Sequence, residues 1–474
     1  MTATKLHPGR LKGFTLLLAA TLFSGSLAFA PPNPRLAHSY RVDKNGWIFV
    51  HLQGSPADVG YQDGYLLAPE IDDGIHMLKF YLGRTTRESW TFYREAAKRM
   101  FWPKLTEEYR HEIEGIAEGL RARGYKYDAI DITALNGWME IAYYYRPQLI
   151  RELRERRARG KAPGNCSAFI ATGSYTSDGK IVMAHNCWTD YIIGERWNII
   201  ENIVPEKGNS ILMDAFPGFI DSGDDLAENS AGMLITETTI TGFRGFNPDG
   251  APEFMRAREA EQYSDNIGDF VRIMTKDNNG AYANDWLIGD TKTNEIARLE
   301  LGLKYFKVWR TKDGYFVGSN FPSDPKIIRR ETVFNPHDKY SSMNDRKLRL
   351  ETLMREYKGK IDVNIAEKIL GDDYDQVRGR YAHDSYVICG HNDEDPLGVR
   401  QWGWGPFNPA GAVQGKVTTS DLANKMELWA HMGHPDGTNF IASEYFRRHP
   451  GYKWEGVFLH NMLSYPWTLF RATR

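Results

Sequence analysis

A cysteine that follows a turn-rich segment and opens a strand is well placed to act as a nucleophile, and Cys166 stands in that position. It comes directly after Pro163-Gly164-Asn165, and at this point the residue period changes from helical to strand-like. Ser167 to Gly173 is β-prone, Ser177-Asp178-Gly179-Lys180 reads as a hairpin turn, and Ile181 to Ala184 returns as a strand. If the peptide bond before Cys166 were broken, its α-amine, with a pKa of ~7.7–8.0, would be free on the same residue. That amine can take the thiol proton, so no distant base is required. A cysteine before a strand is also commonly a small buried hydrophobe, and the residue types alone leave both readings open.

Other chemistries find less support. A serine lipase needs Gly-x-Ser-x-Gly on a strand-to-helix turn, and the chain has no such motif. A metal hydrolase could draw on His431, His434 and Asp436, or on His383, His391 and Asp393, but neither set has the spacing of a specific metal motif. The three cysteines, Cys166, Cys187 and Cys389, are too scattered for a disulfide framework or a zinc finger. No metal and no cofactor are expected. A net charge of −2 gives no reason to expect nucleic acid as a partner.

The elements that must position Cys166 can be read on both sides of it. Ser55-Pro56 followed by Asp58 marks a helix start. A helical pattern continues to about Arg159, with an amphipathic stretch from Trp90 to Arg123 interrupted at Pro103. A further helix begins near Asp128 and carries Leu135, Trp138, Ile141 and Tyr145 as a core stripe. The basic run Arg151 to Lys161 reads as a solvated helix end or exposed loop, open to proteolytic nicking. Beyond Cys166, strands are expected at Asn198–Val204, Ser210–Phe216, Gly232–Ile240, Asp285–Gly289, Glu295–Leu301, Tyr305–Trp309 and Tyr315–Gly318, with a helical stretch from Glu253 to Thr275. Hairpins with helices between them predict an α+β fold of stacked antiparallel sheets covered by helices, a four-layer αββα sandwich.

The segment Asn165-Cys166-Ser167-Ala168-Phe169, then Asp178-Gly179, then Met183-Ala184-His185-Asn186-Cys187-Trp188, resembles the nucleophile hairpin of the phospholipase B-like family. Four further segments match in order: Phe216-Pro217-Gly218 with Asp224-Asp225; Gly232 with Thr236-Glu237-Thr238-Thr239-Ile240; Asn279-Gly280 with Asn284-Asp285-Trp286; and His431-Met432-Gly433 with Pro435-Asp436. Before Cys166 the likeness is looser and rests on Gly60-Tyr61-Gln62-Asp63-Gly64-Tyr65. The chain is more distantly similar to bile-salt hydrolases and penicillin acyltransferase-like enzymes. Trp188 stands where those relatives have an aspartate, so their way of holding the α-amine does not carry over there.

The resemblance implies an N-terminal-nucleophile hydrolase that cuts itself before Cys166. A mainly helical fragment, residues 31–165, would remain associated with a core of residues 166–474. It implies an acyl substrate, either lipid-like ester or N-acyl amide; a catalytically silent lipid-binding protein of the same fold is the alternative. Cys166 would be the nucleophile and His185 a proton shuttle. Thr239, where the distant relatives place an oxyanion-hole asparagine, and Asn284 would be donors to the developing oxyanion. Asn186 and Asn320 would orient amine or substrate. Glu237 and Asp225 are candidate buried charges, and Trp188, Trp286 and Phe219 candidate groove walls. Cys187, usually threonine in the family, is given no catalytic role.

The first thirty residues read as a secretory signal. Lys5, Arg10 and Lys12 precede the apolar run Phe14 to Phe23, followed by Ser24-Gly25-Ser26, with cleavage expected after Ala28 or Ala30. The run falls short of the ~20 residues that span a bilayer. Export is therefore expected, to the periplasm or medium of a bacterium or a lysosome-like compartment of a eukaryote.

Overall fold

Side chains alternate across a strand, so each strand sorts its residues between two faces, and here that sorting builds four layers. The computed structural model describes residues 33–154, 165–223 and 226–472. Nine strands form one sheet in the order Tyr40–Lys44, Trp47–Gly54, Ile199–Pro205, Ile211–Ala215, Leu226–Asn229, Met233–Thr239, Asn284–Asp290, Glu295–Leu301, Phe306–Thr311. Six form the other, in the order Gly314–Gly318, Asn165–Thr172, Val182–Asp190, Ala410–Thr419, Glu427–Met432, Thr468–Arg471. Ala168, Ile170 and Met183 of the smaller sheet meet Leu212, Leu234, Leu287 and Ile296 of the larger one between the layers. The outer face of the larger sheet, with Val50, Ile199, Ile235 and Trp286, is covered by the helices that precede Cys166 and by Glu253–Tyr263 and Ile267–Thr275. Helices Ser342–Glu356 and Val363–Leu370 cover Phe169, Ala184 and Trp188 on the outer face of the smaller one. The expected α+β, helix–sheet–sheet–helix arrangement is what the chain forms.

The signals before Cys166 correspond to real caps and breaks. Ser55 caps helix Pro56–Leu66 by accepting from the Asp58 amide, with Pro56 in the first turn. The amphipathic stretch splits into Trp90–Met100 and Glu107–Ala122, with Pro103 in the short turn between them. Asp128 and Asp131 form a capping box at the start of Ala129–Asn136. Helices Pro56–Leu66 and Glu107–Ala122 cross so closely that a Cβ on Gly60 would lie 1.9 Å from the Glu112 carbonyl oxygen, and one on Gly119 2.3 Å from that of Tyr61. Glycine is required at those crossings.

Three features depart from the pattern reading. Residues 31–165 are not all helical cover: Trp47–Gly54 pairs in parallel with Ile199–Pro205, so main-chain hydrogen bonds knit the first part of the chain into the larger sheet. The stretch from Glu253 to Thr275 is two helices, the second restarted by Asn266, whose side chain accepts from the Asp269 amide. Strands Leu226–Asn229, Ala410–Thr419, Glu427–Met432 and Thr468–Arg471 also complete the sheets. The signal-like run and most of Arg151–Lys161 lie outside the described residues; the latter's first residues close helix Arg146–Arg154.

A fully buried ion pair links the sheets. Lys416 of strand Ala410–Thr419 donates to Asp214 of strand Ile211–Ala215 at 2.7 Å, with both side chains at 0% exposure. Asp214 also accepts from the Leu226 amide at 3.0 Å and from Gln414 at 3.2 Å. Removing one member strands a buried charge, whereas replacing both with apolar groups is often tolerated. Asp214→Leu should therefore destabilise the protein by about 3–5 kcal/mol in denaturant unfolding, and adding Lys416→Met should recover most of that loss. An unchanged midpoint in the single variant would contradict this.

Candidate active site

The hairpin at Cys166 fixes its register. Asp178 accepts from the Lys180 amide in the turn, and strands Asn165–Thr172 and Val182–Asp190 then pair with Cys166 opposite Cys187 and Ala168 opposite His185. Opposite residues of an antiparallel pair share a face, so Cys166 and His185 both lie on the face that packs against the larger sheet, with Ala168 and Ile170. Glu237 reaches the same point from strand Met233–Thr239, its Oε1 3.8 Å from the Cys166 Sγ. The thiol, a His185 ring nitrogen and a Glu237 carboxylate oxygen all lie within 4.8 Å of one another, and all three residues are buried. Thr239 donates its hydroxyl to Glu237 Oε2 at 3.5 Å.

Asn320 holds the main chain of Cys166. Its Oδ1 accepts from the Cys166 N–H at 3.0 Å, and its Nδ2 donates to the Thr239 carbonyl at 3.0 Å. It does this from just beyond strand Gly314–Gly318 with φ of 68°, in the left-handed region that asparagine tolerates better than most residues. Arg346 of helix Ser342–Glu356 completes the clasp. Its guanidinium donates to the Cys166 carbonyl at 2.6 Å, the Ser167 hydroxyl at 3.0 Å and Asn320 Oδ1 at 3.0 Å, and lies 4.3 Å over the Trp188 ring. Burial pulls the Arg346 pKa down to about 9, opposed by Cys166 and Asp345; the group still carries its charge at neutral pH.

Cys166, His185, Glu237, Thr239 and Asn320 thus converge. Asn284 is buried and stands opposite Thr239 in register. Asn186 is on the other face, donating to the carbonyls of Leu370 at 2.8 Å and Ile388 at 3.2 Å. Trp188 is also on that face, as the platform under Arg346. Trp286 packs on Phe270 with ring centroids 5.3 Å apart, and Phe219 on Trp197 and Phe216, so both fill core. Asp225 lies outside the described residues. Arg346, Ser167 and the Lys416–Asp214 pair are not legible in the sequence: Arg346 sits among the similar residues Lys347 and Arg349, and nothing marks it as the fully buried one. All three cysteines are free thiols.

Comparison with known proteins shows what this chain is similar to. The model of the phospholipase B family matches residues 81–309, a stretch that contains Cys166, His185, Glu237, Thr239 and Asn284 and stops short of Asn320 and Arg346. The chain is similar to the phospholipase B-like proteins over about half of its length. It is 23% identical to putative phospholipase B-like 1 of Caenorhabditis elegans over 308 residues (58% of this chain, 53% of that one). With phospholipase B-like 1 of Bos taurus the identity is 24% over 272 residues (49% and 48%). An uncharacterized protein of Archaeoglobus fulgidus is 29% identical over 280 residues (56% and 45%). The chain spans about half the length of these phospholipase B-like and archaeal relatives. Among solved structures, a mutant of conjugated bile acid hydrolase from Clostridium perfringens overlays 56% of this chain and 89% of its own, with a TM-score of 0.33 and 11% identity. An overlay that loose carries no residue roles across.

Asn320→Gly tests the clasp while sparing the backbone, because glycine adopts positive φ freely. Losing the acceptor on the Cys166 nitrogen should slow thiol chemistry at Cys166 by about a hundredfold, the scale of a misplaced reacting group, and should cost about 1–3 kcal/mol of stability by leaving that buried N–H unsatisfied. Chemistry at the native rate would remove Asn320 from the site.

Proposed function

We propose that this chain is an exported acyl hydrolase that cuts itself before Cys166 and then deacylates lipid-like substrates through the Cys166 thiol. The observation that carries this reading is the hydrogen bond from the Cys166 nitrogen to Asn320 Oδ1. The atom that would become the catalytic amine is already held by an acceptor, beside a thiol that a histidine and a carboxylate surround.

In maturation the thiol attacks the carbonyl carbon of the preceding residue, and the Cys166 nitrogen leaves as an amine. Water then hydrolyses the resulting thioester to a carboxylate and regenerates the thiol. In turnover the amine takes the thiol proton, and the thiolate adds to the substrate carbonyl. The leaving alcohol or amine departs with that proton. A water molecule hydrolyses the acyl-thioester, releasing the acid. Asn320 keeps the amine aimed at the sulfur, and Arg346 pins the Cys166 carbonyl so that the residue cannot rotate. His185 and Glu237 set the proton balance around the thiol, while Thr239 and Asn284 stand as candidate oxyanion donors. The fragments would stay together because Trp47–Gly54 remains paired with Ile199–Pro205.

A cleft of about 550 Å³ lies beside this centre, lined by Thr241, Phe243, Val333, Phe334 and Met343, with Arg244, Arg400 and Asp338 also on its walls. Thr241 on its wall borders the site's scaffold, its amide donating to the Asn320 carbonyl at 3.1 Å. An apolar wall suits an acyl chain, and two exposed arginines suit the phosphate of a phospholipid or the carboxylate of an N-acyl amino acid. No helix among the described residues is long and apolar enough to cross a membrane; export rests on the pattern of residues 1–30.

Mature protein incubated with mixed diacyl phospholipids, lysophospholipids and N-acyl amino acids should release fatty acid. Mass spectrometry should also catch an acyl group on the peptide that begins at Cys166. His185→Ala should slow release by ~10²–10⁴-fold, the usual contribution of a proton-transfer group. Release no faster than from Cys166→Ala on every substrate would leave a binding protein in place of an enzyme.

A further inference from the structure

We propose that Asp373, Cys389, His391 and Asp436 form a binding site for a divalent transition-metal ion, zinc by its donor set, with His434 beside it. The four come from three separate loops. Asp373 follows helix Val363–Leu370, Cys389 and His391 belong to the long loop after it, and Asp436 lies in the turn after strand Glu427–Met432. One donor atom from each of the four lies within 4.8 Å of the others. A second set of the same spacing, Cys389, His391 and His434, shares two of them.

The details favour a cation over a self-sufficient ion-pair network. His391 Nε2 is 3.1 Å from Asp436 Oδ2 and 3.9 Å from Asp373 Oδ1, and His383 Nε2 is 3.8 Å from Asp436 Oδ2 and from Asp373 Oδ2, so two carboxylates and two imidazoles converge on one point. Asp373 Oδ1 is buried without a hydrogen-bond partner, and so is Nδ1 of His434, a residue only 2% exposed. The His434 ring lies 4.5 Å from that of His391. A thiol adds nothing to a histidine–carboxylate pair, yet Cys389 is fully buried within this group. One thiolate, one imidazole and two carboxylates make a sulfur–nitrogen–oxygen set, which zinc accepts tetrahedrally. Outer partners are in place too: the Thr438 amide and hydroxyl both hold Asp436 Oδ1 at 2.8 Å, and the same hydroxyl lies 3.1 Å from Oδ2, which orients the carboxylate toward His391. His383, with 40% of its side chain exposed, and Glu394, with 44%, sit 3.6 Å apart on the solvent side and mark the entry.

This site is on the outer side of the smaller sheet, so it acts through support. The Ile388 carbonyl accepts from Trp188 Nε1 at 3.3 Å and from Asn186 at 3.2 Å. Gly390 packs so tightly on Trp188 that a Cβ would meet the ring at 2.0 Å. The ion would fix this loop under Trp188, which in turn carries Arg346 and the Cys166 carbonyl. The sequence puts His391 and Asp436 in two different weak sets and gives no expectation of a metal, and Asp373 and Cys389 belong to neither set.

The test uses the full chain without a polyhistidine tag, reduced, stripped with chelator and titrated with Co²⁺ and then Zn²⁺. The stripped protein should take up one equivalent of Co²⁺ with a thiolate-to-cobalt charge-transfer band, and Zn²⁺ should displace it and raise the melting temperature. Cys389→Ser should abolish the band, and Cys166→Ala, which removes the thiol of the other cluster, should leave it. Asp373→Asn, a partly exposed change whose circular dichroism should match that of the native chain, should weaken binding by at least about tenfold, the lower end of what even an outer partner contributes. No thiolate band on the native chain, or a band lost with Cys166 and kept without Cys389, would overturn the proposal.

Discussion

Everything at the centre of this molecule depends on one buried hydrogen bond, from the main-chain nitrogen of Cys166 to the side-chain oxygen of Asn320. A buried amide must find an acceptor or cost the full penalty of desolvation. In the middle of a strand the neighbouring strand supplies it. At Cys166, near the start of its strand, a side chain supplies it instead, and that side chain belongs to a residue held in a left-handed conformation just past the adjacent strand. Because the acceptor is a side-chain amide, its other end is free to grip the Thr239 carbonyl. One residue thereby ties the Cys166 strand of the smaller sheet to the end of a strand in the larger one.

The rest of the polar interior is arranged around that clasp. Packing two sheets face to face usually buries only apolar residues, yet here His185, Glu237, Lys416 and Asp214 all lie inside. Lys416 stands directly opposite His185 in register, and its charge is balanced by Asp214 across the sheet interface. Arg346 enters from the other side and is paired with carbonyl and hydroxyl oxygens, with Trp188 beneath its face. Buried charges like these gain little stability compared with apolar packing. Their presence beside a thiol is the expected signature of a site whose electrostatics serve chemistry.

How much of this the sequence discloses follows from which residues carry local signals. Caps and turns are local: Ser55-Pro56, Asp128 and Asp178-Gly179 each announce themselves within a few residues, and each is where the pattern places it. Short apolar runs bounded by turn residues make the strands near Cys166 readable. The C-terminal strand Ala410–Thr419 escapes because Gly411, Gly415, Gln414 and Lys416 break its apolar pattern: Gln414 and Lys416 face the polar interior, while Gly411 and Gly415 let Gly390 and Asn186 approach on the other side. Cys166, His185, Glu237 and Thr239 can be proposed through resemblance, since they sit in recognisable segments, and Asn320 only as an amide in the run Gly318-Ser319-Asn320-Phe321-Pro322. Arg346 cannot, because its role depends on a helix docking far downstream of Cys166, at a sequence separation of 180. Asn186 and Trp188 illustrate the opposite error: they neighbour His185 in sequence, but alternation sends them to the far face, where they anchor the loop at Ile388.

The claim that the Cys166 nitrogen is built to become a catalytic amine is tested most directly by the covalent state of the purified, active protein. Intact-mass measurement with N-terminal sequencing of each piece should find one fragment that begins at Cys166 and another that ends at or before Asn165, both present in the active preparation. Cys166→Ala should stay in one piece. A protein that hydrolyses acyl substrate at full rate with the Asn165–Cys166 bond whole would contradict the account.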